Sequence, residues 1–64
     1  MSSKWFSVED KLPDEDVYVL IVTKSPKGVR NIDKGYISDE QWVKRGGNAV
    51  VTHWMPLPDF PEED

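Results

Sequence analysis

The run VYVLIVT at residues 17–23 sets what this chain can become. Six apolar residues follow one another from Val17 to Val22, five of them β-branched or aromatic, with acidic turn residues ahead and Pro and Gly behind. A stretch this short and this β-branched is a poor helix. Bounded by turn signals, it reads as a strand covered on both faces, and hence as the central strand of a sheet. The chain has only 64 residues, 38% of them hydrophobic, and no cysteine. At this length folding hides about 60% of the unfolded chain's surface. Neither a disulfide nor a thiolate zinc site is available to brace so thin a core. The rest of the sequence must supply both neighbours and cover for this strand, within a single domain over 1–64. Its ordered part is expected at about 5–61, with 1–4 and 62–64 frayed.

Elsewhere the signals are those of short strands and turns. Ser7 followed by Asp10 resembles a helix cap, which predicts one helical turn before Leu12-Pro13 stops it. Asp14-Glu15-Asp16 form a polar turn, and Ser25-Pro26-Lys27-Gly28 a tight one. Residues 29–37 alternate so that Arg30, Ile32, Lys34 and Tyr36 share a side, with a bulge expected at Gly35. Residues 41–44 form a short strand. Residues 50–55 form the last, with Val50, Thr52 and Trp54 on one face and Val51, His53 and Met55 on the other. Pro56 ends it, because proline has no N–H to give to a ladder. The predicted fold is mainly β, an antiparallel meander of three to four strands. Trp5 and Phe6, with Leu57 and Phe60 of the proline-rich C-terminal segment, fold back over one face. Trp5 and Trp54 are assigned to the core, while Trp42 suits core and surface equally.

Charge narrows the function classes. The net charge is −4 with a pI near 4.8, which weighs against nucleic acid, whose binders carry a basic footprint. The distribution is uneven: residues 9–16 and 59–64 each carry net −4, and residues 17–58 carry net +3. No apolar run reaches the roughly 20 residues of a membrane span, and nothing reads as a signal peptide. The expectation is a soluble protein of the cytoplasm, with no membrane partner.

Catalytic patterns are missing where they are looked for. His53 is the only histidine, with no second ligand at metal-binding spacing and no orienting acid in sequence. Asp14-Glu15-Asp16 lack the spaced ligands and glycine of a calcium loop, and Gly46-Gly47 are not followed by the GK[ST] of a phosphate cradle. No serine stands in a G-x-S-x-G elbow. The chain is therefore read as a non-enzyme without cofactor or metal, working by contact. The candidate interaction surface comprises His53, the segment Pro56, Leu57 and Pro58, the turn Asp14, Glu15 and Asp16, and Trp42. Lys24, Lys27, Arg30 and Lys34 around the first hairpin form an alternative patch, in which cations interleaved with aromatics hold single-stranded nucleic acid. A third reading is a structural, self-associating module, with the chain a monomer or a weak homodimer, since residues 17–22 are apolar on both faces.

One order of residues is distinctive: Trp5, Ser7-Val8-Glu9-Asp10-x-Leu12-Pro13, Val17-x-Val19-Leu20-Ile21-Val22, Gly35-Tyr36, Trp42, and Thr52-His53-Trp54-Met55-Pro56-Leu57-Pro58. It resembles a family of small proteins of unknown function, domain-of-unknown-function family five-fifty-one, found mainly in tailed bacteriophages and prophages. The resemblance runs from Trp5 to about Pro61, and THWMPLP is its most specific part. Phe6 stands where an aliphatic residue is common. The resemblance implies an accessory phage or prophage product in a bacterial cytoplasm, with a phage or host protein as partner, and it transfers no catalytic residue. It also invites a structural account of its two ends, in which Leu12-Pro13 and residues 56–58 pack together and clamp the termini to the sheet.

Overall fold

The computed structural model describes residues 4–58. The chain forms five strands, β1 (Phe6–Ser7), β2 (Val19–Lys24), β3 (Arg30–Ser38), β4 (Gln41–Val43) and β5 (Val50–Pro56). They make one antiparallel sheet in the order β1-β5-β2-β3-β4. The mainly β, antiparallel class is that read from the sequence. The count rises to five because the Phe6-Ser7 pair adds an edge strand. Meander order holds only for β2-β3-β4, since β5 returns to lie between β1 and β2. The β2 strand is central, as its composition requires.

Its pairing begins at Val19, two residues later than the apolar run. Val19 faces Pro56, the last residue of β5, so Val17 and Tyr18 have no β5 partner and stay half exposed. Asp16 still donates its N–H to the Ile37 carbonyl at 2.8 Å, tying this approach to β3.

The turns follow from their residues. Gly28, at φ 89°, closes the β2–β3 loop; its N–H reaches the Ser25 carbonyl at 2.8 Å. The β3–β4 hairpin turns on Asp39 and Glu40, both at positive φ. The expected turn after Ser7 is present as a single unrepeated turn. The Asp10 and Lys11 N–H groups both reach the Ser7 carbonyl, at 3.0 and 3.1 Å. The Ser7 hydroxyl accepts from the Glu9 N–H at 3.2 Å.

Cross-strand partners share a face, so the register sorts every side chain. Val19, Ile21 and Thr23 of β2, Trp54 and Val51 of β5, Phe6 of β1, and Ile37 and Trp42 lie on one side. This side holds the core, Val19, Ile21 and Trp54, with Val8, Trp42 and Val51 packed against it. The segment after β1 covers it. The Trp54 indole N–H donates to the Lys11 carbonyl at 2.8 Å, the Phe6 ring lies 4.9 Å from the Trp54 ring, and Lys11 Nζ sits 4.7 Å from the Phe6 centroid.

Two sequence expectations need correction. The irregularity expected at Gly35 lies elsewhere: Val22 pairs with His53 but Thr23 with Val51, so Thr52 is the extra residue of a bulge in β5. Val51 is thereby turned to the core side, away from His53 and Met55. Gly35 instead marks where β3 changes partner, from β2 to β4. The second correction concerns cover. The core side of β2 is sealed, whereas the side bearing Leu20, Val22 and Lys24 is sheltered, among the described residues, by its strand neighbours and Trp5. Phe60, expected to help as cover, lies outside the described residues.

Candidate functional site

Pleating assigns the other side of the sheet with equal clarity. Leu20, Val22 and Lys24 of β2 face Lys34, Ile32 and Arg30 of β3, and Met55, His53 and Val50 of β5. Ser7 faces His53. Trp5 precedes Phe6 in an extended segment, so adjacent rings point to opposite faces. Trp5 accordingly joins His53, Val22, Ile32, Asn31 and Arg30 around a depression of about 700 Å³. Its assignment to the core is thus replaced by a half-buried place at the rim of the open side. Ile32 keeps 65% of its surface exposed. Val22, its cross-strand partner, is buried at 9%.

The charges at the strand positions of this side have one sign. Lys24, Arg30 and Lys34 project from its strands, and none of its strand positions carries a carboxylate. Asp33, the only acid in the strands, lies opposite Ile21 on the core side. Its carboxylate accepts from the Lys34 N–H at 2.7 Å. Lys24 and Arg30 stand directly opposite one another. At the far end, the Tyr18 and Tyr36 rings meet edge-on at 4.8 Å, with Lys34 Nζ 5.3 Å from the Tyr18 centroid.

The residues proposed from sequence fall in different places. His53 is exposed on the open side; its Nδ1 lies 3.0 Å from the Thr52 hydroxyl, which donates to the Val22 carbonyl at 3.4 Å. Pro56, Leu57 and Asp14 line a separate depression with Leu12, Pro13 and Trp54, so the two signature ends do meet around one hollow. Pro58 is exposed at the end of the described chain. Glu15 accepts the Glu40 N–H at 3.3 Å, which ties the acidic turn to the β3–β4 hairpin, and Asp16 is held to Ile37. Trp42 packs on the core. One continuous surface through all eight residues is not formed. Of the alternative patch, Lys24, Arg30 and Lys34 share the open side, and Lys27 sits in the turn beyond them.

Sequence reasoning placed Arg30, Ile32, Lys34 and Tyr36 on one side but passed over Trp5 and Val22. The signal for Trp5 was its adjacency to Phe6, since neighbours in a strand cannot face the same way. Chemically the open side offers apolar area, aromatic edges and cations. Among the described residues, no three His, Asp or Glu side chains gather as a metal site, and no helix is long and apolar enough to cross a membrane.

Residues 4–62 match the family described as Protein of unknown function (DUF551). The chain belongs to that family. The match takes in both signature ends and all five strands, so the two-sided sheet is the body of a DUF551 domain. No curated protein and no solved structure matches the chain.

Proposed function

We propose that this DUF551 protein is a phage or prophage accessory protein that acts in the bacterial cytoplasm by binding a host protein, without catalysis, through the open side of its sheet. The observation that carries this reading is the exposed Ile32 set between Arg30 and Lys34, beside Val22 and Trp5. Apolar area ringed by charge of one sign is what a protein interface presents before its partner arrives. His53 belongs to this surface. The hollow at Leu12, Pro13, Pro56 and Leu57 is read as the clamp of the two termini.

The test is capture from bacterial lysate by wild-type protein and by two variants, followed by reconstitution from purified components. Ile32→Asp alters the open side and Leu57→Asp the other hollow. The expected result is one protein bound in fixed ratio, resistant to nuclease and to moderate salt, lost with Ile32→Asp and kept with Leu57→Asp. Binding that survives Ile32→Asp overturns the assignment.

A second reading, single-stranded nucleic acid, is favoured by one observation: Lys24, Arg30 and Lys34 share a side with Trp5 and Tyr36. Against it, Tyr18 and Tyr36 are packed on each other rather than standing as free platforms, and the surface between the cations is aliphatic. Phosphate binding weakens steeply with salt, so retention at moderate salt separates the two. A self-associated form is distinguished by sedimentation, as a dimer that Ile32→Asp dissociates.

A further inference from the structure

We infer that the open side recognises an acidic partner segment, in which a large apolar side chain is flanked by carboxylates. The apolar side chain enters the depression bounded by Trp5, Val22 and Ile32, and a carboxylate meets Arg30. This rests on the protein-binding reading above and gives it a chemistry.

Three observations support it. The first is segregation of charge. A protein of net charge −4 has a sheet face whose strand positions hold three cations and no acid. The acids at 9, 10, 14, 15 and 16 lie in the segment that wraps the core side, and Asp33 points to that side. The second is the Lys24–Arg30 pair. Like charges directly opposite across strands oppose the fold, and an anion between them reverses the sign of that interaction. Arg30 is the member suited to a carboxylate, because its planar fork binds both oxygens. The third is spacing. Arg30, Ile32 and Lys34 project on one side at alternate positions, about 7 Å apart in a strand. Cation, aliphatic, cation is the complement of acid, apolar, acid. A nucleic acid matches the cations but leaves Ile32 against phosphate or sugar.

The experiment is selection from a display library of random twelve-residue peptides on the intact protein, followed by titration of the winners and of a twelve-nucleotide oligothymidine. The variants are Arg30→Glu, Ile32→Asp and Leu57→Asp. Arg30→Glu creates an opposite-charge pair with Lys24, so the fold is not placed at risk. The expected winners carry Asp or Glu beside Leu, Ile, Phe or Trp. Their affinity falls at least tenfold with Arg30→Glu and with Ile32→Asp, and stays within twofold with Leu57→Asp. Winners without excess acid that are still lost with Ile32→Asp overturn the acidic chemistry while leaving protein binding in place. Winners indifferent to both open-side variants overturn the groove. Oligothymidine binding sensitive to Arg30→Glu, with no peptide selected, overturns this inference and the protein-binding reading together. Binding of neither probe overturns the acidic-segment inference alone.

Discussion

Ile21 and Ile32 stand one strand apart, and solvent reaches 0% of the first and 65% of the second. Both are aliphatic, both sit in the middle of a ladder, and they differ in which way the pleat turns them. On the Ile21 side the chain spends its own segments as cover: the turn after β1, with Lys11 accepting from Trp54, and β4, with Trp42 on the core. On the Ile32 side no comparable segment is laid down among the described residues, and the strands present cations there instead. The contrast teaches that residues 4–58 spend their cover on one face of the sheet. The second face is held in shape by the first.

That division predicts a wide separation of mutational effects. Ile21→Ala empties a fully buried site and is expected to cost about 2–5 kcal/mol, the range for such truncations in a core. In so small a domain that approaches the entire stability. Ile32→Ala is expected to stay within about 0.5 kcal/mol, as exposed positions do, while removing partner binding. Urea unfolding of the two variants checks the pair. Equal losses of stability would show that the open side is sealed by something in solution and would break the comparison.

Gly35 probes how closely β4 closes over the core side. A Cβ at this position would lie 3.0 Å from Ile21 Cδ1 and 3.0 Å from the Val43 carbonyl oxygen. One of these is backbone and the other belongs to the fully buried Ile21. Gly35→Ala is therefore expected to destabilise by about 1–3 kcal/mol, as overpacking does. Gly47, with nothing near its Cβ position but φ at 56°, is a poorer control than a β-compatible surface site such as Asn31→Ala, expected to be near neutral. The measurement is again the denaturation midpoint.

Trp54→Phe tests the cover itself. The substitution keeps an aromatic ring against Phe6 but deletes the indole N–H that holds the Lys11 carbonyl. The expected cost is about 1–2 kcal/mol, from a lost hydrogen bond and reduced buried area. Hydrogen exchange should accelerate at Val8, whose N–H reaches the Thr52 carbonyl at 3.1 Å, before it does at β2. Uniform acceleration would mean that the wrapping segment and the sheet open together.

Much of this contrast was legible in the sequence, and the unread part has identifiable causes. The central strand followed from β-branched density at 17–22, and the open-side row followed from alternation of Arg30, Ile32, Lys34 and Tyr36. The face of Val51 was not legible. Simple alternation groups it with His53, and only the bulge at Thr52, a matter of pairing with β2, turns it to the core. The place of Trp5 was lost for a different reason. Tryptophan in a small domain is expected in the core for the area it brings, and that general expectation overrode the local rule that Trp5 and Phe6 must diverge. The grouping of His53 with residues 56–58 treated nearness in sequence as nearness on a surface, whereas the register separates them across the sheet.

The smallest expected effect concerns the hairpin that brings Trp42 over the core. Asp39 and Glu40 both occupy the left-handed region, at φ 52° and 66°, the geometry of a type I′ two-residue turn, in which the second place favours glycine. Glu40 adopts it against its own preference. Glu15 helps to hold it, its carboxylate accepting the Glu40 N–H at 3.3 Å. Glu40→Gly keeps that backbone donor and relieves the conformation, so it is expected to stabilise by about 0.5–1 kcal/mol, somewhat less than the full left-handed penalty because glycine gains freedom in the unfolded chain. The gain belongs to the covered side alone, so affinity for a partner at Ile32 should not change. Gly28→Ala is the converse, placing a side chain at φ 89° in the loop beside Lys24 and Arg30, and should destabilise by a similar amount. If Glu40→Gly instead weakens binding while raising the denaturation midpoint, the hairpin and the open side are coupled, and the two faces do not act as independent halves of the sheet.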